Sequence, residues 1–481
     1  MSNRVETLDT CTRWVVLIAK REPNGRLRTL LANARWSGQD FARAVNGVAA
    51  EAGLTLRYDR TSVSHWLAGT RPPAHVVALA AEALSRRTGR RVSAAETGLS
   101  RHSGPGTRDS PGGEPPGVDA FAAASPEAGA RPDLGAGLLG EIPVYSSAWR
   151  PPGPGPEPGP EPGPVSGLVP GLETPPPPTS AGQGGRDRIG PHHVEAADAV
   201  LPVFRNADMM FGSGHARPAL IAYLTTTVAP WLRADASPSV RHRLLGSTSR
   251  LAYTAGFLCF DSNQQGMAQA YYRAALRLGR EAGDPRCHAP ALRGMSVQAH
   301  HLGHRKQALE LAEAAAREAP RLPDVQAAFV TGQLAVAEAA CGDRRAALAH
   351  LTGAERMLER AGGQSAPIGD YHRAALAHQQ AEALAALGDI KGAVAALTSS
   401  LRHRPPAERR ARAITAARLA ELHLQRGHLE RACAAWHELL DTVPQLESAR
   451  VADALRRMRG RLRAVRASGV VRPLLERAGV S

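Results

Sequence analysis

The chain has 481 residues, a formal net charge of +15, 37 prolines and five cysteines. This length predicts more than one folded unit, and the positive charge favours polyanionic partners, although an Arg-rich composition makes that a weak signal. The cysteines show no CxxC pair or regular spacing, which excludes a disulfide scaffold and is typical of reduced thiols in the cytoplasm.

The first region, residues 1–99, predicts a small helical domain with a core at about 26–99. Leu27, Leu30 and Leu31 fall at helical spacing, so the first helix is expected at 26–35. An apolar run at 14–19 precedes it and is too short for a signal peptide or a membrane span.

A second helix is predicted directly after the first. Ser37 suits its N-cap, because a Ser hydroxyl accepts a hydrogen bond from an unpaired amide of the first turn, and Asp40 stands at the third helical position. Trp36 and Phe41 occupy the two positions of a hydrophobic staple. The sequence therefore fixes both the start of this helix and its angle to the first.

Residues 61–68 predict a short third helix with Val63 and Trp66 turned inward. Gly69 is a helix stop, and the prolines that follow it separate this helix from a fourth one at 76–87. The outward face of the third helix is polar.

The capped second helix, the Ser/Thr-rich third helix ending in W-L-x-G and the following R-P-P resemble the helix-turn-helix of the phage Cro and repressor (XRE-type) family, which is found in many bacterial regulators. The resemblance covers residues 26–99, although the connection at 46–59 is longer than the usual turn. It implies that the third helix lies in the major groove of DNA.

In that geometry, residues on the third helix contact base edges while flanking residues contact phosphates and fix the register. The expected base contacts are Thr61, Ser62, Ser64 and His65. The expected backbone contacts are Gln39, Arg57, Arg60 and Arg71. The alternative interpretation is that these are ordinary solvated residues of a small helical domain.

Residues 100–190 form a linker rich in proline and glycine, as in PPGPGPEPGPEPGP at 151–164. Such a composition buries too little apolar surface to fold and predicts a disordered, semi-rigid spacer, with a proline-motif ligand as the alternative. The patch at 138–149, which contains Tyr145 and Trp149, is the part expected to dock elsewhere.

Residues 191–481 predict a helical repeat domain. Turn residues recur at intervals of 39 to 46 residues, with a small residue seven positions before each turn and alanine five positions after it. The turns are Asn263, Gly303, Gly342, Gly388 and Gly427. A bulky residue usually follows nine positions after the turn, as in Tyr272 and Trp436. This packing resembles a tetratricopeptide-type α-solenoid.

The last helix is expected at 450–466, where Arg residues surround an apolar stripe. That stripe comprises Val451, Leu455, Met458, Leu462 and Val465. A capping helix that seals the last repeat is the favoured interpretation, and a second nucleic-acid or membrane contact is the alternative.

No catalytic motif is present: the sequence contains no Walker loop, dinucleotide fingerprint, nucleophile elbow or zinc-protease pair. His300, His301 and His304 have no carboxylate or cysteine at ligand spacing, which argues against a metal site. We therefore expect a protein that is not an enzyme and that holds no cofactor or metal.

The combination of an N-terminal helix-turn-helix with C-terminal repeats resembles a large group of actinobacterial regulators. It implies an all-α, cytoplasmic transcription regulator that binds double-stranded DNA and does not bind membranes. A peptide, small molecule or protein is the expected partner at the concave face of the repeats, and a homodimer is one arrangement that would place two heads on DNA. The alternatives are a scaffold without DNA binding and a receptor for a signalling peptide.

Overall fold

The computed structural model describes residues 22–100, 145–147, 149–150, 188–362 and 371–479. Every regular element within these ranges is helical. The run at 14–19 lies outside the described residues. So does the predicted linker, apart from its two ends and a short stretch around Tyr145 and Trp149.

Four helices form the N-terminal unit, which we call the head. They are α1 (Gly25–Ala34), α2 (Gly38–Glu51), α3 (Arg60–Leu67) and α4 (Ala74–Thr88). Each was predicted from the sequence, and the ends of α1, α3 and α4 differ from the prediction by one or two residues. The connection predicted at 46–59 is shorter than expected, because α2 continues to Glu51. The differences fall at the termini, where capping rather than apolar spacing sets the boundary.

Capping boxes begin both α2 and α3. The Asp40 amide donates to Ser37 Oγ at 3.2 Å, and the Ser37 amide donates to Asp40 Oδ2 at 3.1 Å, which confirms the predicted cap of α2. At α3 the Ser62 amide donates to Asp59 Oδ1 at 2.8 Å. Asp59 is therefore the N-cap, and α3 begins one residue earlier than its polar face suggests.

Trp66 fixes α3 to the rest of the head. Its ring is 4% exposed and meets Phe41 edge-on at 6.1 Å between centroids, while Tyr58 packs on it at 5.0 Å. Trp36 lies 6.1 Å from Phe41, as the predicted staple requires. The aromatic cluster holds the angle between α2 and α3.

Asn46 spans the long connection between α2 and α3. Its Nδ2 donates to the Tyr58 carbonyl at 2.8 Å, and its Oδ1 accepts from the Tyr58 amide at 3.0 Å. One side chain thus ties the end of the connection to the middle of α2. The extra length does not loosen α3.

Three helices and a π-helical turn precede the repeats. They are α5 (Pro191–Phe211), α6 (Ser213–Tyr223), the turn at Leu224–Val228 and α7 (Ala229–Arg233). The glycine at position 212 divides what would otherwise be one long helix.

Five helical hairpins follow, and we call the whole of residues 188–479 the array. The first three hairpins are α8 (Pro238–Asp261) with α9 (Gln265–Glu281), α10 (Pro285–His301) with α11 (Arg305–Ala316), and α12 (Asp324–Cys341) with α13 (Arg344–Ala361). The last two are α14 (Arg373–Ala386) with α15 (Ile390–His403), and α16 (Arg409–Gln425) with α17 (Leu429–Thr442).

The turn residues and the small-residue columns lie where the repeat predicted them. All five turn residues have positive φ, between 60° at Asn263 and 92° at Gly342. The alanines five positions later are completely buried, and they are Ala268, Ala308, Ala347, Ala393 and Ala432. A Cβ on Gly256 would lie 2.7 Å from Tyr272 Cδ1, so the small residue before the turn is needed for close helix approach.

The array closes on itself between its first helices and the end of its fifth hairpin. The Gly214 amide donates to the Glu447 carbonyl at 2.9 Å, and the Glu447 amide donates to the Phe211 carbonyl at 2.8 Å. Ser448 Oγ donates to Asp261 Oδ1 at 2.9 Å. We call these contacts the closure.

The chain ends in α18 (Ala449–Leu462) and α19 (Arg472–Arg477). Four of the five predicted stripe residues are buried, as expected of a helix that seals the last hairpin. The prediction for Val465 was wrong: it is 39% exposed, because α18 ends at Leu462 and a short 3₁₀ turn rotates the chain away from the core.

Within the described ranges, none of the helices combines the length and apolar character needed to cross a bilayer. Cys259, Cys287 and Cys433 are buried free thiols, and Cys341 is an exposed one. Burial raises the pKa of Cys287 to about 11, so this thiol stays protonated near neutral pH.

Candidate nucleic-acid interface

The array does not cover the outer face of α3, which is exposed to solvent. Thr61, Ser64 and His65 are exposed, whereas Val63 and Trp66 on the opposite face are buried. Exposed hydroxyl and imidazole groups can donate to and accept from base edges. This face therefore offers both hydrogen-bond donors and acceptors to solvent.

Ser62 differs from the other three residues predicted to contact bases. It is half-buried, and its Oγ donates to Asp59 Oδ1 at 2.8 Å within the capping box. Hydrogen bonds from the Ser62 amide and hydroxyl lower the pKa of Asp59 below its ordinary value. The capping box favours the ionised form of Asp59. It also gives the Ser62 hydroxyl a hydrogen-bond partner within the protein.

Gln39 connects the beginnings of α2 and α3. Its Oε1 accepts a hydrogen bond from the Arg60 amide at 3.2 Å, and its side chain is half-buried. The contact holds the two helix N-termini side by side. A helix N-terminus carries partial positive charge, which favours phosphate near it.

Three exposed arginines flank α3. Arg57 precedes the helix, Arg60 is its first residue and Arg71 follows its C-terminus. None of the three guanidinium groups forms an ion pair with a carboxylate in the part of the chain that is described. Their charges remain available to an anionic partner, in contrast to Arg43, which lies 3.7 Å from Asp40.

The eight predicted contact residues thus lie in α3, directly beside it in the chain, or at the start of α2. Sequence reasoning missed the role of Asp59, although the D-x-x-S pattern before α3 is a capping signal. As a consequence, the negative charge of Asp59 lies at the start of the helix that would approach DNA. For DNA to bind there, attraction of the phosphates to Arg57, Arg60 and Arg71 has to exceed their repulsion by Asp59.

Comparison with known families gives one match within the head. The family model described as SP15 N-terminal domain matches residues 27–100. The match includes α2 to α4 and all eight predicted contact residues. No curated protein matches the chain. The family match concerns the head and says nothing about the array.

The head contacts the array through a buried polar network on α4. Glu82 Oε1 accepts from Arg86 Nε at 2.7 Å and lies 2.9 Å from His304 Nε2 in the second hairpin turn. Arg86 also binds both carboxylate oxygens of Glu51, at 2.8 and 2.7 Å. These groups are almost fully buried, and none was predicted to take part in a contact.

The turn residue Gly303 lies directly against the head. A Cβ at this position would be 2.9 Å from the Arg86 carbonyl oxygen, and its φ of 87° favours glycine. The same residue therefore serves the hairpin turn and the approach of α4.

A short linker segment, residues 145–147 with 149–150, packs beside this contact. The Tyr145 hydroxyl donates to Gln307 Oε1 at 2.8 Å, and its ring stacks on His304 at 5.3 Å. Gln269 exchanges two hydrogen bonds with the Ser146 backbone, at 2.9 and 3.0 Å. The prediction that the aromatic patch docks is confirmed for this segment.

The segment continues along the array to Arg150. Gln307 Nε2 donates to the Trp149 carbonyl at 2.9 Å, and the Trp149 ring lies 5.3 Å from the Arg273 guanidinium. Arg150 forms an ion pair with Glu310 at 2.6 Å. The linker is therefore attached to the first two hairpins near the point where the head rests.

The docked head leaves its candidate interface uncovered. The contact uses α4 and the end of α2, whereas the predicted contact residues lie on α3 and the start of α2. Docking therefore orients α3 without blocking it.

The three clustered histidines have separate environments. His304 pairs with Glu82, while burial lowers the pKa of His300 and brings that of His301 to about 3. Among the residues described, no group of three or more His, Cys, Asp or Glu side chains is placed to hold a metal ion.

Proposed function

We propose that this protein is a cytoplasmic, non-catalytic transcription regulator that binds double-stranded DNA through α3 and senses a ligand or partner through a tetratricopeptide-type array. The observation that carries the proposal is the polar, exposed face of α3, held by Trp66 and flanked by three exposed arginines. Packing of Val63 and Trp66 in the core accounts for how α3 is held. It does not require the polar outer face or the three exposed arginines.

In this proposal the arginines supply affinity and α3 supplies sequence preference. Arg57, Arg60 and Arg71 would neutralise phosphates and release counterions, which makes binding sensitive to salt. Thr61, Ser64 and His65 would contact base edges. Ser62 would contribute mainly by capping α3, because Asp59 holds its hydroxyl.

The docked head gives the array a means of acting on DNA binding. Because α4 rests on the second hairpin turn, a ligand or a second copy that changes the array also changes the position of α3. Two heads held in a dimer would place their α3 helices on half-sites one or more helical turns apart.

The test is DNA selection with the full-length protein, followed by titration of the selected duplex at several salt concentrations. We expect Arg60→Ala and Arg71→Ala each to weaken binding to all sequences and to reduce the salt slope by about 1. Arg344→Ala removes an exposed charge from α13 and serves as the matched control, with no expected effect.

The base contacts are tested by repeating the selection with His65→Ala and Ser64→Ala. We expect changed sequence preference with a loss of about 1–3 kcal/mol on the preferred site and an unchanged salt slope. A folded protein without salt-sensitive DNA affinity would instead support a scaffold in which the array binds partner proteins. Tight binding of a secreted peptide encoded nearby would support the receptor alternative.

A further inference from the structure

The centre of the array contains a cavity of about 190 Å³. Its walls come from α5, α8, α10, α12 and α16 together with the loop before α16, so both sides of the closure contribute. The walls carry aromatic rings and several arginines, together with two carboxylates.

Two guanidinium groups in the wall are stacked on aromatic rings. Arg293 lies over Phe329 at 3.9 Å, and Arg410 lies over Phe257 at 4.8 Å. Stacking of this kind holds a guanidinium plane in place. The edge of Arg410 is taken up by Asp208 and Asp261, at 2.8 and 3.6 Å, whereas Arg293 faces no carboxylate within ion-pair distance in the described ranges. The cavity therefore presents positioned cationic groups beside apolar surface.

Polar atoms of the wall lack partners although they are buried. Asp208 and Arg410 are 4% and 8% exposed, and neither Asp208 Oδ1 nor Arg410 Nε has a hydrogen-bond partner. The Nε atoms of Arg293 and Arg404 also lack one. Buried polar groups without partners are costly, and here the charged groups of the wall are incompletely paired by the chain itself.

Within the described residues, carboxylates pair with some of the arginines in the cavity wall but not with Arg293. Arg410 Nη2 binds Asp208 at 2.8 Å, and Arg404 Nη1 binds Glu408 at 2.6 Å. Arg293 forms no ion pair with any carboxylate in the described ranges. Burial raises the pKa of Asp208 to about 6 despite Arg410, so this carboxylate also favours a hydrogen-bond donor beside it.

The size of the cavity selects among the kinds of partner expected at the concave face. A volume of about 190 Å³ holds on the order of six water molecules at ~30 Å³ each. A molecule of roughly the size of a substituted benzene ring fits this space.

We propose that this cavity binds a small organic acid with an apolar, ring-sized body, whose acid group pairs with Arg293 while the body lies between Tyr253, Phe257 and Phe329. A hydroxyl or N–H group next to the acid would donate to Asp208. This inference rests on the sensor part of the proposed function and is independent of whether the head binds DNA.

The test is binding of a defined panel to the full-length protein by saturation-transfer NMR and calorimetry. The probes are phenylacetate, mandelate and 3-phenylpropionate, each compared with its neutral amide. We expect saturable one-to-one binding of at least one acid, about tenfold tighter than its amide, because only the acid pairs with a guanidinium.

Variants locate the site. Arg293→Met keeps the length of the side chain and removes its charge, and we expect it to weaken acid binding about fivefold or more. Arg293→Lys should restore part of that loss, and the exposed control Arg344→Met should change nothing. Circular dichroism of each variant confirms that the fold is retained.

Three outcomes would overturn the proposal: no saturable binding by any acid of the panel, equal affinity for acids and amides, or affinity that Arg293→Met leaves unchanged. Because none of these measurements includes DNA, a failure here is distinct from a failure of the head to bind a duplex.

Discussion

Asn46 ties the connection between α2 and α3 to the middle of α2. Both of its amide atoms bond the Tyr58 backbone, so a connection of eight residues between α2 and α3 ends at a fixed point. Without that bond, α3 would be held mainly by Trp66.

We predict that Asn46→Ala lowers the free energy of unfolding by about 1–3 kcal/mol, because two buried backbone groups lose their partners. Thr55→Ala, at an exposed position in the same connection, is the control and should have little effect. Denaturant unfolding of the full chain measures both. Equal stability of the two variants would contradict the role assigned to Asn46.

Gly303 and Gly427 offer a matched pair of turn glycines. Both have positive φ, 87° and 77°, but only Gly303 would place a Cβ against the head, whereas nothing lies within 4 Å of a Cβ on Gly427. We predict that both alanine variants carry a backbone cost of about 1 kcal/mol. Only Gly303→Ala should also release the head.

Hydrogen exchange of α4 distinguishes these two effects. Faster exchange in Gly303→Ala than in Gly427→Ala is expected, since only the former displaces Arg86. The same exchange rate in both would show that the head does not rest on this turn.

At the scale of elements, α4 joins the head to the second hairpin through Glu82. Burial acts to raise the pKa of Glu82, but hydrogen bonds and charges from His304 and Arg86 outweigh it, so the pKa lies below its ordinary value of 4.5. A carboxyl with a lowered pKa stabilises the folded state above pH 4.5 and loses that contribution as the pH falls through the folded value.

We therefore predict that the docked head is destabilised as the pH falls below about 4.5, and that Glu82→Gln weakens this dependence. Glu51 faces the same network from α2 but has a raised pKa from burial, so its own contribution has the opposite sign. Unfolding measured between pH 6 and pH 3.5 tests the prediction, with the exposed Glu355→Gln as control. A parallel pH profile for Glu82→Gln would contradict it.

At the scale of the whole molecule, the closure depends on close approach at Gly214. A Cβ there would lie 2.6 Å from Glu447 Cβ, so we predict that Gly214→Ala costs about 1–3 kcal/mol and opens the array. Gly353→Ala, in a helix with nothing within 4 Å, should be neutral or stabilising. Thermal unfolding and small-angle scattering compare the two, and an unchanged radius for Gly214→Ala would refute the prediction.

Local order was predictable from the sequence, because its causes are local. The cap at Ser37, the staple at Trp36 and the glycine turns are short-range patterns, and they predicted where α2 begins and where the hairpins turn. The path of the chain after Leu462 was not predicted, because apolar spacing continued to Val465 while the helix stopped.

The long-range contacts could not be predicted, because no short pattern in the sequence marks them. Glu82 and His304 are 222 residues apart, and Asp208 and Arg410 are 202 residues apart. A single carboxylate and its distant partner form no pattern in a chain with many charges. Both the docking of the head and the charged cavity therefore became visible only in three dimensions.

The closure also has a consequence for how this protein can change in evolution. An open solenoid tolerates duplication or deletion of whole units, because its free end simply moves. Here an inserted or deleted hairpin would carry Glu447 away from Gly214 and separate Ser448 from Asp261. Descendants of this chain should therefore vary in their loops and surfaces while keeping the number of hairpins at five.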